Sequence, residues 1–517
     1  MNLTGRLRLA AALASLLSFH AFEPSALARE PRAIDERGAI ETSIVGSPAL
    51  RGAAIEAESA AVSLEGSEAQ NPFTLILDGA AIRTQTPQLS REPGMAPVNT
   101  SHAVQVGAEL RKRTLLGTEL SLRLDGSWRF NTGPVFAGLN PLELGPGYGV
   151  GLRFAAIQPL LRNAGVELNE APIVQAEARQ EQADRARDRA ASEVVRGVIG
   201  AYWELWFAGA ASSIQGQSLA LATRQRDEAK GRAEIGTAAP ADVLSFETRL
   251  ATRNEELVAA ELEVERRANE LARVMGDSSS SWRAAEGVPP MPPELPDDAI
   301  ERALAESLEL KEAVAAVKLA EANAVTTENP LRARLDLDAS VEARGLGVQE
   351  VSPAFEQLGT LGALSARVGL TYEQPLDGTQ LRAAAARARL AVEAAEARVE
   401  EVKRRIEAEV SSELAREQAA RRRLELAQQT AEIAGRQVEL ERARYAAGAS
   451  TPIQLLEAEE AQRTARLRVA RARVDLVSAH TSVLHAMGLL LDDKRVRLDA
   501  AGRMKSGRLP LGLIGRF

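Results

Sequence analysis

Apolar and polar residues alternate strictly in the segment that follows Pro330. Apolar side chains occupy every second position from Leu331 to Ala343, and the positions between them are charged or polar. A strand with this period of two has one apolar face and one polar face. After a Gly-rich loop, residues 367–373 alternate in the same way. The two segments predict an up-and-down strand pair about ten residues long, which is the length of a tilted membrane-spanning strand.

Four segments in the first half of the chain show weaker alternation. They predict strands near 73–83, 104–111, 119–130 and 149–158. In the third segment, Trp128 and Phe130 lie at one end of the apolar face, where the aromatic girdle of a membrane barrel would place them. A soluble sheet with one dry face would show the same alternation, and a single strand does not separate the two interpretations.

Long helical segments follow both groups of strands. Helices are expected from about 171 to 233 and from about 381 to 447, each preceded by a Gln-Pro-Leu tripeptide. At 1.5 Å per residue they would be roughly 95–100 Å long, which suits a rod or a tunnel better than a compact globular domain.

Two helical hairpins match each other when the sequence is shifted by 212 residues (448 − 236 = 212). Three residues of the first hairpin coincide with three of the second: Gly236, Pro240 and Gly276 with Gly448, Pro452 and Gly488. Glycine commonly ends a helix in the left-handed conformation, and proline commonly begins the next one. We therefore predict hairpin tips at 233–242 and 445–457, with a returning helix after each, and Thr451 as an N-cap.

The N-terminus has the pattern of a secretory signal peptide. Arg6 and Arg8 precede an apolar run, and small residues end it at Ala28. The alternative is an uncleaved anchor, but the run is far shorter than the ~20 residues of a spanning helix.

We expect two structural repeats that pack as one intertwined unit. The expected divisions are a signal peptide at 1–28, a loose leader at 29–46, the first repeat at 47–287, a stiff Pro-rich linker at 288–296, the second repeat at 297–490 and a C-terminal tail at 491–517. Each repeat is expected to begin with a helix that ends at an Asn-Pro pair, Asn71-Pro72 and Asn329-Pro330.

Composition narrows the classes of function. The chain has no cysteine, which excludes disulfides, thiolate metal sites and a lipid on an N-terminal cysteine. Its net charge of −8 argues against a nucleic-acid partner. No zinc-protease, phosphate-loop or nucleophile-elbow motif occurs in the sequence, so we expect no enzymatic activity, cofactor or metal site. Charged residues interrupt every long apolar window after the leader, so no transmembrane helix is expected.

The order of these motifs resembles the outer membrane efflux protein family, the TolC-like channels. The resemblance rests on Gln158-Pro159-Leu160 and Gln374-Pro375-Leu376, on Ala201-Tyr202-Trp203, on the tip segment from Tyr445 to Ala458 and on Met487-Gly488. It covers about residues 47–490. No single motif is diagnostic, but the duplicated order with constant spacing is specific.

The resemblance implies a mainly α fold with transmembrane β structure. Long antiparallel coiled-coil hairpins would form a periplasmic α-barrel, and trimerisation would complete an outer-membrane β-barrel. Each chain would contribute four strands, whereas six are predicted here. The segment from 104 to 130 would then be an extracellular extension, or one of the two counts is wrong.

The resemblance also implies a function, a location and partners. The protein would be a homotrimer in the cell outer membrane, surrounded by outer-membrane lipid, with its helical part in the periplasm. It would serve as the exit duct of a tripartite efflux or type I secretion system. Its partners would be a periplasmic adaptor (membrane fusion) protein and an inner-membrane transporter of the RND, ABC or MFS type. The alternative is a periplasmic adaptor-like coiled-coil protein, which would need a single hairpin flanked by soluble β-domains.

The resemblance finally implies roles for residues at the tips. The periplasmic aperture maps onto Glu457 and Gln454, of which only Glu457 is acidic. The alternative is that Glu457 is an ordinary solvated glutamate. Closed-state contacts map onto Tyr445 and Asp242, but the basic partner expected two residues after Gly448 is Ser450. The hairpin tips and adaptor-docking positions are Gly236, Thr237, Pro240, Gly448, Ala449 and Pro452.

Overall fold

A computed structural model of the chain describes residues 32–87, 98–132, 146–236, 239–277 and 282–499. The chain divides into two compact units. The hairpin unit contains the N-terminal segment that ends at Ser47, Val194–Pro293 and Glu417–Thr481; the sheet unit contains Pro48–Glu193, Glu294–Arg416 and the segment that begins at Ser482. Each unit therefore takes segments from both predicted repeats. The predicted signal peptide and Thr237 lie outside the described residues.

Eight strands occur in the described part of the chain. They are β1 (Arg32–Ile34), β2 (Thr74–Pro87), β3 (Val98–Arg113), β4 (Glu119–Thr132), β5 (Gly147–Pro159), β6 (Trp282–Ala284), β7 (Arg334–Val348) and β8 (Leu364–Glu373). Strands β1 and β6 form a small parallel pair in the hairpin unit. The other six form one antiparallel sheet in the order β2-β3-β4-β5-β7-β8.

The strands predicted from alternation are confirmed, and the count is six. The resemblance implied four strands per chain, so this sheet has two strands more than it implied. The β3–β4 hairpin is part of this sheet, since β3 pairs with β2 from Thr74↔Arg111 to Pro87↔Val98, and β4 pairs with β5 from Glu119↔Ile157 to Arg129↔Gly147. The hairpin therefore lies within the sheet, at the level of its neighbours.

The register gives the sheet two different faces. One row across the six strands contains Leu75, Leu110, Leu122, Phe154, Val341 and Ala366. The row displaced by one residue contains Ile76, Glu109, Arg123, Arg153, Glu342 and Ser365. Because side chains alternate between the faces of a strand, the first row belongs to an apolar face and the second to a largely charged one.

The loop between β7 and β8 contains helix α7 (Ser352–Gly359) rather than only the Gly-rich coil that the sequence predicted. Ala354 of this helix is fully buried. It approaches β7 at Gly345, where any Cβ atom would overlap the carbonyl of Ala354. Glycine at this position therefore permits the helix to pack on the strand.

The helices agree with the predicted long hairpins. They are α1 (Glu36–Gly46), α2 (Pro48–Glu68), α3 (Val166–Glu234), α4 (Pro240–Met275), α5 (Ala299–Glu306), α6 (Leu308–Glu328), α7, α8 (Thr379–Ala446), α9 (Pro452–Ala486) and α10 (Leu490–Asp493). The pairs α3/α4 and α8/α9 are the two hairpins. In the described residues, no helix is both long and apolar enough to cross a membrane.

The segment at 32–46 is ordered secondary structure, so the prediction of a loose leader is wrong there. Asp35 caps α1 by accepting a hydrogen bond from the backbone N–H of Gly38. Ile40 and Ile44, one helical turn apart, are both buried. Only four residues of α1 are buried, which is too few to give a clear helical pattern of apolar positions in a segment that also contains charged residues.

Alanine and valine dominate the cores between the long helices. In the sheet unit, Val402, Ile406 and Val410 of α8 pack with Val483 and Met487. In the hairpin unit, Ala420 and Leu424 of α8 pack with three residues of α9, which are Ala472, Leu476 and Ala479. Small side chains allow these helices to approach closely.

Candidate functional site

The first tip joins α3 to α4 through a left-handed glycine. Gly236 has a φ of +77°, and its N–H donates to the carbonyl of Ala233 at 3.0 Å. Pro240 begins α4, and Asp242 lies in its first turn, where a carboxylate is stabilised by the helix dipole. The predicted turn chemistry is confirmed.

The second tip has a reciprocal cap in addition to its glycine. Gly448 has a φ of +74°. The hydroxyl of Thr451 accepts from the N–H of Gln454 at 3.4 Å, and Oε1 of Gln454 accepts from the N–H of Thr451 at 3.1 Å. This is a capping box, so the predicted N-cap is confirmed. Ser450 also donates to Oε1 of Gln454 at 3.0 Å. The side chain expected at the aperture thus stabilises the start of α9.

Glu457, the other aperture residue, is exposed on the second turn of α9. Within the described residues it takes part in no ion pair. Its neighbour Ala458 is buried, so Glu457 lies on the exposed side of α9. The position is compatible with a charged ring.

Tyr445 lies against Arg232 of α3, whose guanidinium carbon is 5.7 Å from the centre of the tyrosine ring. This cation–π contact links the two hairpins near their tips. No hydrogen bond joins Tyr445 to Asp242 among the residues that the structure describes. The other proposed tip residues, Gly236, Pro240, Gly448 and Ala449, are exposed, and Pro452 is partly exposed.

Large apolar side chains are exposed beside both tips. Ile235 and Leu244 of the first hairpin are 75% and 64% exposed, and Ile453 of the second is 61% exposed. Apolar groups exposed together in this way are typical of interaction surfaces.

An ionic cluster joins the hairpins a few turns from the tips. We define it as Arg249, Arg253 and Glu256 of α4 with Glu460 and Arg463 of α9. Arg253, whose side chain is only 4% exposed, forms salt bridges with both Glu460 and Glu256. Arg249 donates to the carbonyl of Leu456 at 3.0 Å and to Glu460 at 3.3 Å. Glu460 thus lies among three arginines.

Neighbouring charges shift the ionisation of the ionic cluster. Burial works against ionisation of Glu460, but hydrogen bonds from Arg463 and Arg253 outweigh it and lower the pKa of Glu460 from 4.5 to about 2. Burial, together with the positive charge of Arg253, lowers the pKa of Arg249. The cluster is therefore a fixed ionic contact rather than a group that titrates near neutral pH.

A second contact binds α3 to α8 and α9. Gln225 donates to Glu459 at 2.9 Å, and Arg442 forms a salt bridge with the same carboxylate at 3.2 Å. Sequence reasoning missed both contacts. Arginine and glutamate occur throughout these helices, so nothing in the linear pattern distinguished the buried pairs from exposed ones.

The charged face of the sheet carries a second network. Arg123 of β4 binds Asp125 at 2.6 Å, Asp78 of β2 at 2.8 Å and Glu109 of β3 at 3.4 Å. Arg111 binds Glu109 at 2.8 Å. The network crosses three strands, whereas the opposite face exposes apolar side chains such as Leu77 and Val368, at 73% and 76%. Such a sheet is suited to separating a polar medium from an apolar one.

The chain combines a two-faced antiparallel sheet with two long helical hairpins. Residues 299–489 match the family model described as outer membrane efflux protein. No curated protein matches the chain.

Solved structures of outer-membrane channels have the same fold. The channel OprN is 18% identical, with a TM-score of 0.61 over 88% of this chain and 89% of OprN. VceC from Vibrio cholerae is 16% identical, with a TM-score of 0.59 over 88% of this chain and 96% of VceC. MtrE from Neisseria gonorrhoeae is 18% identical, with a TM-score of 0.57 over 88% of this chain and 89% of MtrE. The family match and the shared fold confirm the resemblance indicated by the sequence.

Proposed function

We propose that three copies of this chain form an outer-membrane channel-tunnel, the exit duct of a tripartite efflux or type I secretion system. The observation that carries the proposal is the combination, in one chain, of a six-stranded sheet with unlike faces and two long helical hairpins. A membrane wall needs an apolar outer face and tolerates charges only where they face water. The sheet would supply that wall, and the hairpins would form the periplasmic tunnel.

The hairpin tips are the proposed docking surface for a periplasmic adaptor, which would connect the channel to an inner-membrane transporter of the RND, ABC or MFS type. Exposed Ile235, Leu244 and Ile453 support this role. A cysteine placed at exposed Ala449 and labelled with a thiol-reactive photo-crosslinker is expected to crosslink to an adaptor on illumination of the membranes. A cysteine with the same label at Val62, which is also exposed and lies on α2, is the matched control and is expected to form none.

The adaptor-like alternative is less well supported. It would require one hairpin between soluble β-domains, whereas this chain has two hairpins and a sheet that exposes a continuous apolar face. A soluble protein would leave that face in water, at a cost of roughly 25 cal/mol for each Å² of apolar surface.

At the aperture we propose a single acidic ring made by Glu457 from three copies. Gln454 is neutral and engaged in the capping box, so it would border the opening without adding charge. The first hairpin has Ser245 at the position equivalent to Glu457 (457 − 212 = 245). The ring would therefore be built by only half of the hairpins.

Fractionation tests the proposed function directly. The mature protein is expected in the outer-membrane fraction as a detergent-stable trimer, and the purified trimer is expected to conduct ions across a planar lipid bilayer. Recovery as a soluble monomer would contradict the channel. Recovery in the inner membrane together with a transporter, without conductance, would favour the adaptor.

A further inference from the structure

The six-stranded sheet ends in two open edges. Strands β2 and β8 are its terminal strands, and within the described residues neither has a partner on its outer side. An unpaired edge leaves N–H and C=O groups without hydrogen bonds, which is costly in hydrocarbon, so membrane sheets close on themselves. Another sheet edge must therefore pair with each of them if this sheet spans a membrane.

The β3–β4 hairpin continues both faces of the sheet. Its apolar face continues that of the neighbouring strands, since Leu122 of β4 lies between Leu110 and Phe154 in one row. Its charged face also continues that of the neighbouring strands, since Arg123 lies between Glu109 and Arg153 in the next row. A hairpin that projected into solvent would have no reason to keep both faces in register with the sheet.

A long-range ion pair fixes this hairpin against β2. The guanidinium of Arg123 reaches across β3 to Asp78, with Nη1 2.8 Å from Oδ1 and Nη2 2.9 Å from Oδ2. It passes over Gly107, where a Cβ atom would lie 2.7 Å from Oδ1 of Asp78 and still closer to the guanidinium. Glycine thus leaves room for the bridge. The contact requires β2, β3 and β4 to lie side by side at one level.

The directions of the edge strands allow copies to continue the sheet. All five strand pairs are antiparallel, so β2 and β8 run in opposite directions. The β8 edge of one copy can therefore pair with the β2 edge of the next and preserve the alternation. Such a head-to-tail contact forms a ring when the rotation between copies closes.

We infer that β8 of each copy pairs with β2 of the next and that three copies close an 18-stranded wall, because each copy supplies six strands. The number of copies rests on the proposed function, whereas the count of six strands per copy comes from the structure. For strands about 4.8 Å apart and tilted by about 40°, 18 strands close at a backbone diameter of about 36 Å, against about 24 Å for 12 strands. The hairpin therefore widens the pore at the outer membrane and lines it with Glu109, Arg111 and Arg123.

Site-directed spin labelling tests whether the hairpin is in the wall. The chain has no native cysteine, so each introduced thiol is unique. Single cysteines at Leu122 and Ser121 report the two faces of β4, and Val341 and Ser340 of β7 occupy the same two rows as matched controls. In trimers reconstituted in vesicles of phosphatidylethanolamine and phosphatidylglycerol, labels at Leu122 and Val341 should be severalfold more accessible to oxygen than to a nickel chelate. Labels at Ser121 and Ser340 should show the reverse.

The controls separate failure of the inference from failure of the channel. If β7 alternates but both β4 labels are equally accessible to nickel, the hairpin is outside the wall and the inference is wrong while the channel stands. If β7 does not alternate either, the proposed function itself fails.

Disulfide crosslinking tests how many copies close the sheet. Leu77→Cys on β2 is combined in turn with Ala366→Cys, Val368→Cys and Leu370→Cys on β8, and the membranes are oxidised. The expected product is a covalent trimer and nothing larger. Covalent dimers as the largest species would indicate a 12-stranded wall of two copies, and species larger than trimers would indicate more. Either result overturns the inference. So does the absence of any intermolecular product when the control pair Val341→Cys with Ala366→Cys, adjacent within one chain, forms its disulfide.

Discussion

Arg253 on α4 and Glu460 on α9 form a salt bridge that joins the two helical hairpins. The two residues are 207 positions apart in the sequence. Glu460 also receives hydrogen bonds from Arg249 and Arg463, so one carboxylate is the centre of the ionic cluster. The cluster fixes the returning helices against each other close to the tips, where the proposed aperture would have to open.

Removal of this carboxylate is expected to destabilise the hairpin unit. Glu460→Ala would leave Arg249, Arg253 and Arg463 close together without the carboxylate that contacts all three. We expect a loss of about 2 kcal/mol, less than for a fully buried pair because of solvent screening. Water reaches this pair because the Glu460 side chain is 36% exposed. Thermal unfolding of the detergent-solubilised protein, followed by circular dichroism, would show the lower melting temperature.

Glu432→Ala is the matched control for that loss. Glu432 forms a salt bridge with Arg436 on the surface of α8, and both side chains are more than 60% exposed. Exposed pairs of this kind contribute at most about 1 kcal/mol. Equal melting temperatures for the Glu460→Ala and Glu432→Ala proteins would contradict the role of the ionic cluster.

The stabilisation by Glu460 is expected to depend on pH only in the acid range. Its pKa is lowered from 4.5 to about 2 in the folded protein, so the carboxylate stabilises the fold above pH 4.5. That contribution is lost as the pH falls from 4.5 towards 2, because the unfolded chain then binds a proton that the folded protein does not. The difference in melting temperature between the native protein and Glu460→Gln should be constant at pH 5–8 and should shrink below pH 4.5. A difference that grew on acidification would contradict this assignment.

The sequence predicted the elements of this fold better than their contacts. Alternation identified the six strands of the large sheet, because each has unlike faces, but not the short strands β1 and β6. Gly236 and Gly448 marked the tips, because a left-handed residue favours glycine. Helix α1 was missed because its few buried residues, such as Ile40 and Ile44, lie among charges. The ionic cluster could not be predicted, because the partners of Arg253 depend on how the hairpins pack and not on local pattern.

The capping box at the second tip is expected to control the start of α9. Thr451→Val removes the hydroxyl that accepts from the N–H of Gln454, and loss of such a cap costs about 1 kcal/mol. Amide hydrogen exchange in residues 452–458 should become faster. Gln454→Glu keeps an oxygen that accepts from the N–H of Thr451, so exchange should be unchanged. Thr430→Val removes a hydroxyl from the middle of α8 and serves as the control. Equal exchange in Thr451→Val and Thr430→Val would contradict the cap.

Neutralisation of Glu457 is expected to weaken the cation preference of the channel. Three exposed carboxylates around one axis would raise the local concentration of cations, and a neutral ring would not. Glu457→Ala should therefore shift the reversal potential in a potassium chloride gradient towards zero, with the reconstituted trimer in a planar bilayer. Glu247→Ala removes an exposed glutamate of the first hairpin near its tip and should leave the reversal potential unchanged. If Glu457→Ala also leaves it unchanged, Glu457 is an ordinary solvated side chain and the acidic ring does not exist.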